Sequence, residues 1–168
     1  IIGAVGNDSY GKTVLDSIKD FNIDKTHIRT ENGDTASNRT YLTPDGDRYY
    51  KDDSWNGGVF SSFALSASDR ELLHSSDMVH TTFSGPNFND VIDCCREKRF
   101  PLSVDFDICR DFDTIEKYLD CISLLFISGD EPTLEKAKRL SAKYPNTVFI
   151  VTLGKNGSTA FSKGTAYH

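Results

Sequence analysis

Gly6 to Thr13 reads GNDSYGKT, which sets Gly6, Gly11, Lys12 and Thr13 at the spacing G-x-x-x-x-G-K-S/T. At that spacing a loop can wrap backbone N–H groups around the phosphates of a nucleotide while the lysine adds charge. The surroundings suit the motif. An apolar segment, Ile1 to Val5, precedes it, and a helix follows with Val14, Leu15, Ile18 and Phe21 on one face. A Walker B pattern, apolar residues ending in an acid, is available at Leu102 to Asp105. Two letters speak against the phosphate cradle. Asp8 puts a carboxylate in the middle of it, and Tyr10 is bulky for such a loop. Asp8 and Ser9 read better as helix N-terminal residues that satisfy free N–H groups and suit the helix dipole. Lys12 then belongs to the surface of the first helical turn.

The bulk properties bound the remaining choices. A chain of 168 residues is one domain of ordinary size, or part of a larger one. Its composition, 38% hydrophobic and 26% charged, is globular. A net charge of −6 without a basic stripe excludes a general nucleic-acid binder. No apolar run approaches the roughly 20 residues that span a bilayer, and no signal peptide is expected. Cys94, Cys95, Cys109 and Cys121 contain no C-x-x-C pair, and adjacent Cys94 and Cys95 suit no disulfide framework. They read as reduced thiols of a cytoplasmic protein.

The elements that must position any site change character along the chain. From Asp24 to Tyr50, β-prone segments (His27 to Thr30, Thr35 to Thr43, Asp47 to Lys51) alternate with turn signals at Glu31 to Asp34 and Pro44 to Gly46. They predict an antiparallel meander. From Ser66 the rhythm is βαβ. A capping box at Ser68 and Glu71 starts a helix. Strands at Met78 to Thr82, Leu102 to Phe106, Ile122 to Ile127 and Thr147 to Leu153 alternate with helices. These run from Asn87 to Arg99, around Asp113 to Leu119, and from a cap at Asp130 through Tyr144. His80, on a buried strand, reads as a packed core residue. Near-continuous apolar strands between amphipathic helices mean an α/β fold with a mostly parallel sheet covered on both faces. Ligands in such folds sit at the carboxyl ends of the strands. That points to the loops at 6–11, 82–87, 105–111, 128–131 and 154–157.

The same letters, in order along nearly the whole chain, resemble the ribokinase-like (PfkB) carbohydrate kinases. VGNDSYGKTVLDSIKDFNID resembles the stretch V-G-x-D-x-x-G…L…G-V-D of that family. TASNRTYLTPDGDRYYKD resembles its lid strands, with Gly46-Asp47-Arg48 at its G-x-R hairpin. VDFD at Val104 to Asp107 resembles D-x-N, Ser128 to Glu131 lies where the family has N-x-x-E, and VTLGKNGS resembles V-T-x-G-x-x-G-s. GNDSYG, DRYY, FALSASD, SSDMVH and VTLGKNGS are most similar to the members that act on fructosamines such as fructoselysine. SNRTYL is also similar to the lid strand of ketohexose kinases.

The resemblance implies a ribokinase-like three-layer αβα domain, partial within residues 1–168, with a small antiparallel β lid at about 25–52. It implies ATP-dependent phosphorylation of a sugar hydroxyl with Mg²⁺. Thr152, Gly154, Gly157 and Ser128 then fall on the nucleotide, Glu131 on the metal, and Asn38 and Arg39 on the sugar. Ser128 stands where the family has Asn, and Asp107 likewise. The family's G-A-G-D motif, which carries the general base, is absent from the sequence, as is its upstream glycine-asparagine segment. The base is therefore expected beyond His168 and the 168 residues alone are expected to be inactive. The implied partner is a small sugar; family lids often pair, so a homodimer through the lid is a further expectation. A P-loop NTPase using residues 6–13 and a non-catalytic Rossmann-like binding module are the alternatives.

Overall fold

A computed structural model describes residues 1–46 and 48–168, in two compact units, residues 1–65 and 66–168. Asp47, expected in the G-x-R hairpin and at the head of a strand, lies outside the described residues.

In the first unit, β1 (Gly3–Gly6) leads through α1 (Ser9–Ser17) to β2 (Ile28–Glu31). The two strands pair in parallel, Gly3 opposite Ile28 through Gly6 opposite Glu31. This corrects the antiparallel reading of His27 to Thr30. The intervening helix returns the chain to the start of β1, so the next strand must run in the same direction. The apolar face of α1 is also narrower than its letters suggest. Leu15 and Ile18 are half-buried, Val14 is exposed, and Phe21 lies beyond the helix, 64% exposed.

The polar segment that follows forms four two-residue strands: β3 (Ser37–Asn38), β4 (Tyr41–Leu42), β5 (Arg48–Tyr49) and β6 (Trp55–Asn56). β3 pairs with β6 and β4 with β5, both antiparallel. The Arg39 N–H donates to the Ser54 carbonyl at 2.8 Å and carries the ribbon across the break between the pairs. The antiparallel strands thus run from Ser37 to Asn56, not from 25 to 52, because residues 28–31 belong to the parallel pair. A 3₁₀ turn at Gly58–Ser62 closes the unit.

The second unit opens with α2 (Ala67–Ser75). Its capping box is Ser66 and Asp69, two residues earlier than expected. The Ser66 hydroxyl accepts from the Asp69 N–H at 3.2 Å, and the Asp69 carboxylate accepts from the Ser66 N–H at 2.8 Å. The shorter acid serves because the chain enters the helix at Ala67, one turn before Glu71. Then follow β7 (Val79–Thr82), α3 (Phe88–Glu97), β8 (Leu102–Asp105), α4 (Phe112–Glu116), β9 (Ile122–Ser128), α5 (Glu131–Lys143), β10 (Val148–Thr152), β11 (Ser158–Ser162) and β12 (Thr165–Tyr167). They build one six-stranded sheet in the order β12-β11-β10-β9-β8-β7. β7 to β10 are parallel; β11 and β12 add as an antiparallel hairpin. The helix α4 is shorter than Asp113 to Leu119.

Burial alternates along β10 and the second half of β9, whereas β8 buries three successive residues. Leu102, Val104, Leu125, Ile127, Phe149 and Val151 are at most 1% exposed, and Val91, Ile92, Ile115, Ala137 and Leu140 of the helices are buried with them. Phe83, Phe88, Phe106 and Tyr118 extend this core as an aromatic cluster with ring centroids 4.9–6.3 Å apart. Side chains of opposite parity, among them Leu124, Phe126, Val148 and Ile150, are half-buried. His80 shares that parity. It is exposed, which corrects its reading as a core residue, and its Nδ1 lies 2.9 Å from the Ser103 hydroxyl. Cys94, Cys95, Cys109 and Cys121 are all free thiols. No helix among the described residues is long and apolar enough to cross a membrane.

Candidate functional site

The loop GNDSYGKT forms a strand-to-helix turn in which the N–H groups of Gly6, Asn7, Gly11 and Lys12 are already used. Asp8 is the N-cap of α1, and its carboxylate accepts from the Gly11 N–H at 2.8 Å. It also accepts from the Thr35 hydroxyl at 2.6 Å and the Thr35 N–H at 3.0 Å. The Gly6 N–H donates to the Thr35 hydroxyl oxygen at 2.9 Å, and the Asn7 and Lys12 N–H groups donate to carbonyls of Glu31 and Asp8. The hydroxyl of Thr35, then the N–H groups of Gly11 and Thr35, hold the Asp8 carboxyl below the usual carboxylate range. The protein's own anion occupies the place a phosphate would take. A Cβ on Gly11 would run into the Gly6 carbonyl, and one on Gly6 into the Gly33 carbonyl, so both glycines are there for close backbone approach. Lys12 is exposed. Lys12→Ala is expected to leave nucleotide affinity unchanged. A calorimetric titration of the complete protein showing a tenfold or greater loss would restore the phosphate-loop reading (about 1.4 kcal/mol).

The carboxyl edge of the second unit brings together most of the residues the sequence singled out. Ser128 ends β9 and Thr152 ends β10, and the two are directly paired in the parallel register. Their hydroxyls lie 3.2 Å apart and both residues are half-buried. Gly129 follows Ser128, and its N–H donates to the Thr152 carbonyl at 2.9 Å. A Cβ on Gly129 would press on Thr133 and Val151, so glycine is required where β9 turns onto α5. Beyond Thr152 the chain makes a 3₁₀ turn at Gly154–Asn156. Gly154 and Gly157 have φ of 57° and 83°, a conformation glycine adopts without strain, and nothing lies within 4 Å of where their Cβ atoms would be. The backbone here is open to a ligand.

Glu131 is the exposed first residue of α5. Its neighbour Asp130 is the N-cap; the Thr133 hydroxyl and N–H donate to it at 2.7 and 3.1 Å and hold its carboxyl below the usual range. Arg110 also donates to Asp130, at 3.1 Å, tying the loop after β8 to the start of α5. In that loop Asp107 adopts φ 50°. Its carbonyl accepts from the Ser128 N–H at 2.7 Å and its N–H donates to the Asp105 carboxylate at 2.8 Å. A non-glycine residue in the left-handed region is uncommon and marks a constrained loop. The VDFD letters located this loop, but nothing in them signals the conformation of Asp107 or the Arg110–Asp130 link.

Asn38 and Arg39 belong to the ribbon of the first unit, and both are exposed. Tyr41, by a hydrogen bond, and Asp53, by its charge, favour the protonated Arg39 guanidinium. The ring of Tyr41 stacks on Tyr49 at 5.4 Å, and Lys51 Nζ sits over Tyr41 at 4.2 Å.

Two hydroxyls, two open glycines and an exposed acid lie together at the carboxyl edge of parallel strands, the edge at which α/β sheets bind ligands. The chain matches the pfkB family carbohydrate kinases over residues 1–168 and belongs to that family. It is 32% identical over 160 residues to fructoselysine 6-kinase of Escherichia coli, covering 94% of this chain and 59% of that protein. It is 24% identical over 172 residues to fructosamine kinase FrlD of Bacillus subtilis, covering 99% and 60%. The structure of Arabidopsis thaliana ribokinase complexed with ribose and ATP superposes with a TM-score of 0.75 at 19% identity, covering 99% of this chain and 59% of that one. The fold is therefore ribokinase-like, and the chain spans about 59% of the length of the E. coli relative.

Proposed function

We propose that the complete protein phosphorylates a sugar hydroxyl with ATP, and that its acceptor is a fructosamine such as fructoselysine. The observation that carries the nucleotide half is the pairing of Ser128 with Thr152 beside the open backbone at Gly154 and Gly157. The two hydroxyls can donate to phosphate oxygens, and glycines without neighbours let the backbone approach a ribose or phosphate closely. Glu131 suits Mg²⁺ as a single exposed carboxylate reaching a cation that keeps most of its waters. Bound ATP and Mg²⁺ would supply the phosphoryl group and neutralise its charge. Asn38 and Arg39 on the polar ribbon would face the sugar, and the ribbon would serve as the lid that excludes water. Its exposed Leu42, Tyr49 and Trp55 also suit pairing with a second copy.

No G-A-G-D segment occurs among the 168 residues, so the general base is assigned outside them. Purified complete protein should release ADP from ATP in a fructoselysine-dependent manner. The 168-residue chain should release none above a no-sugar control. Silence of the complete protein across a panel of fructosamines and free sugars would overturn the kinase reading. Sugar-dependent turnover by the 168-residue chain would overturn the placement of the base.

A further inference from the structure

One cluster of metal-ligating side chains lies on the helices of the second unit rather than on the loops after its strands. His74 is in the last turn of α2, and Cys94 and Glu97 are one turn apart at the end of α3. Each offers one donor atom, and the three donors lie within 4.8 Å of one another. We propose that His74, Cys94 and Glu97 form a binding site for a borderline-soft divalent cation, Zn²⁺ first among them.

The donor chemistry is the first reason. One imidazole, one thiolate and one carboxylate are the ligand types of tetrahedral zinc, whose bonds of about 2.0–2.3 Å leave donors roughly 3.5 Å apart. Packing holds the donors in place. Cys94 is fully buried. His74 is pinned across α3 by its Nε2, 3.2 Å from the Cys94 carbonyl, and by the Phe100 ring, 6.3 Å away. Charge is the second reason. Glu97 ends α3, where a carboxylate meets the negative end of the helix dipole. A cation there removes that conflict. Zn²⁺ with the Cys94 thiolate and the Glu97 carboxylate sums to zero. Arg70 donates to Cys94 Sγ at 3.2 Å and is itself paired with Asp90 at 2.9 Å, whose charge offsets its own. Three protein ligands leave the fourth position to water, and the site clamps α2 to α3.

Co²⁺ is the probe, because a thiolate ligand gives it a charge-transfer band in the near ultraviolet. Titrating the complete protein with Co²⁺ should produce that band, and Zn²⁺ should abolish it by displacement. His74→Ala and Glu97→Gln, both outside the buried core, should each weaken Co²⁺ binding by about tenfold or more, the scale at which lost outer-shell partners already act. Cys94→Ser should remove the band. Absence of the band in the unaltered protein overturns the proposal. So does a band whose affinity is unchanged in both His74→Ala and Glu97→Gln, since the thiolate would then belong to another cysteine.

Discussion

Gly11→Ala is expected to destabilise the first unit by about 3 kcal/mol or more, at the top of the range for overpacking because backbone must move. The added Cβ would overlap the Gly6 carbonyl and press on the Thr35 hydroxyl. Neither can retreat freely. Gly6 is locked in register opposite Glu31, and the Thr35 hydroxyl is shared between Asp8 and the Gly6 N–H. Gly3→Ala is the control: it lies on β1 with Gly6, but nothing is within 4 Å of the new methyl group. The single tryptophan, Trp55, lies in this unit and reports its unfolding by fluorescence. A urea midpoint shifted sharply by Gly11→Ala but not by Gly3→Ala is the expected result. Equal midpoints for the two variants would show that the close approach is not what holds the unit.

The complete protein is expected to prefer a fructose–amino-acid conjugate to free fructose by about 10²-fold or more in kcat/KM, roughly 3 kcal/mol of differential transition-state binding. Fructoselysine carries an α-amino and an α-carboxylate group far from the reacting hydroxyl. The ribbon offers both signs within one short stretch: Arg39, Arg48 and Lys51 beside Asp52 and Asp53. Lys51 lies over the Tyr41 ring, and Arg39 interacts with the same tyrosine by a hydrogen bond, so the two cations share one aromatic partner. Opposite charges held together suit a zwitterion, whereas a plain hexose needs mainly hydroxyl partners. Initial rates with fructoselysine, fructose and ribose decide it. Equal efficiency on fructose or ribose would overturn the fructosamine assignment and leave sugar phosphorylation standing.

What the letters revealed depended on how far apart the partners were. β8, β9 and β10 were legible because Leu102 to Phe106, Ile122 to Ile127 and Thr147 to Leu153 are dense apolar runs between helical periodicities. The loops at their carboxyl ends followed; within them Ser128, Glu131, Thr152, Gly154 and Gly157 were singled out by the family resemblance, not by the strand pattern. The partner of β2 was not legible, since four residues of β propensity say nothing about whether their neighbour runs parallel. The cap at Ser66 hid behind Ser68, which offers the same side chain two positions on. Asp8 was read correctly as a helix cap, but its second role could not be seen. Thr35 lies 27 positions away, and only the folded chain brings its hydroxyl to that carboxylate. The exposure of His80 escaped because a strand of alternating burial and a fully buried one look alike over four residues.

The two units also differ in what holds them. Among the described residues, Val5, Val59 and Phe63 are the buried apolar side chains of residues 1–65, whereas residues 66–168 bury a continuous set from Leu73 to Phe161. The smaller unit rests largely on backbone contact between glycines and on hydrogen bonds around one carboxylate. Opening it wets little hydrocarbon. The heat-capacity increment of that opening is correspondingly small, because exposed apolar area raises it and exposed polar area lowers it. Its free energy should therefore change slowly with temperature. The larger unit, with its apolar interior, has a strongly curved dependence, weakening on cooling as well as on heating. A ribbon carried on the first kind of scaffold keeps nearly constant support across the temperatures at which the second kind gains and loses its own.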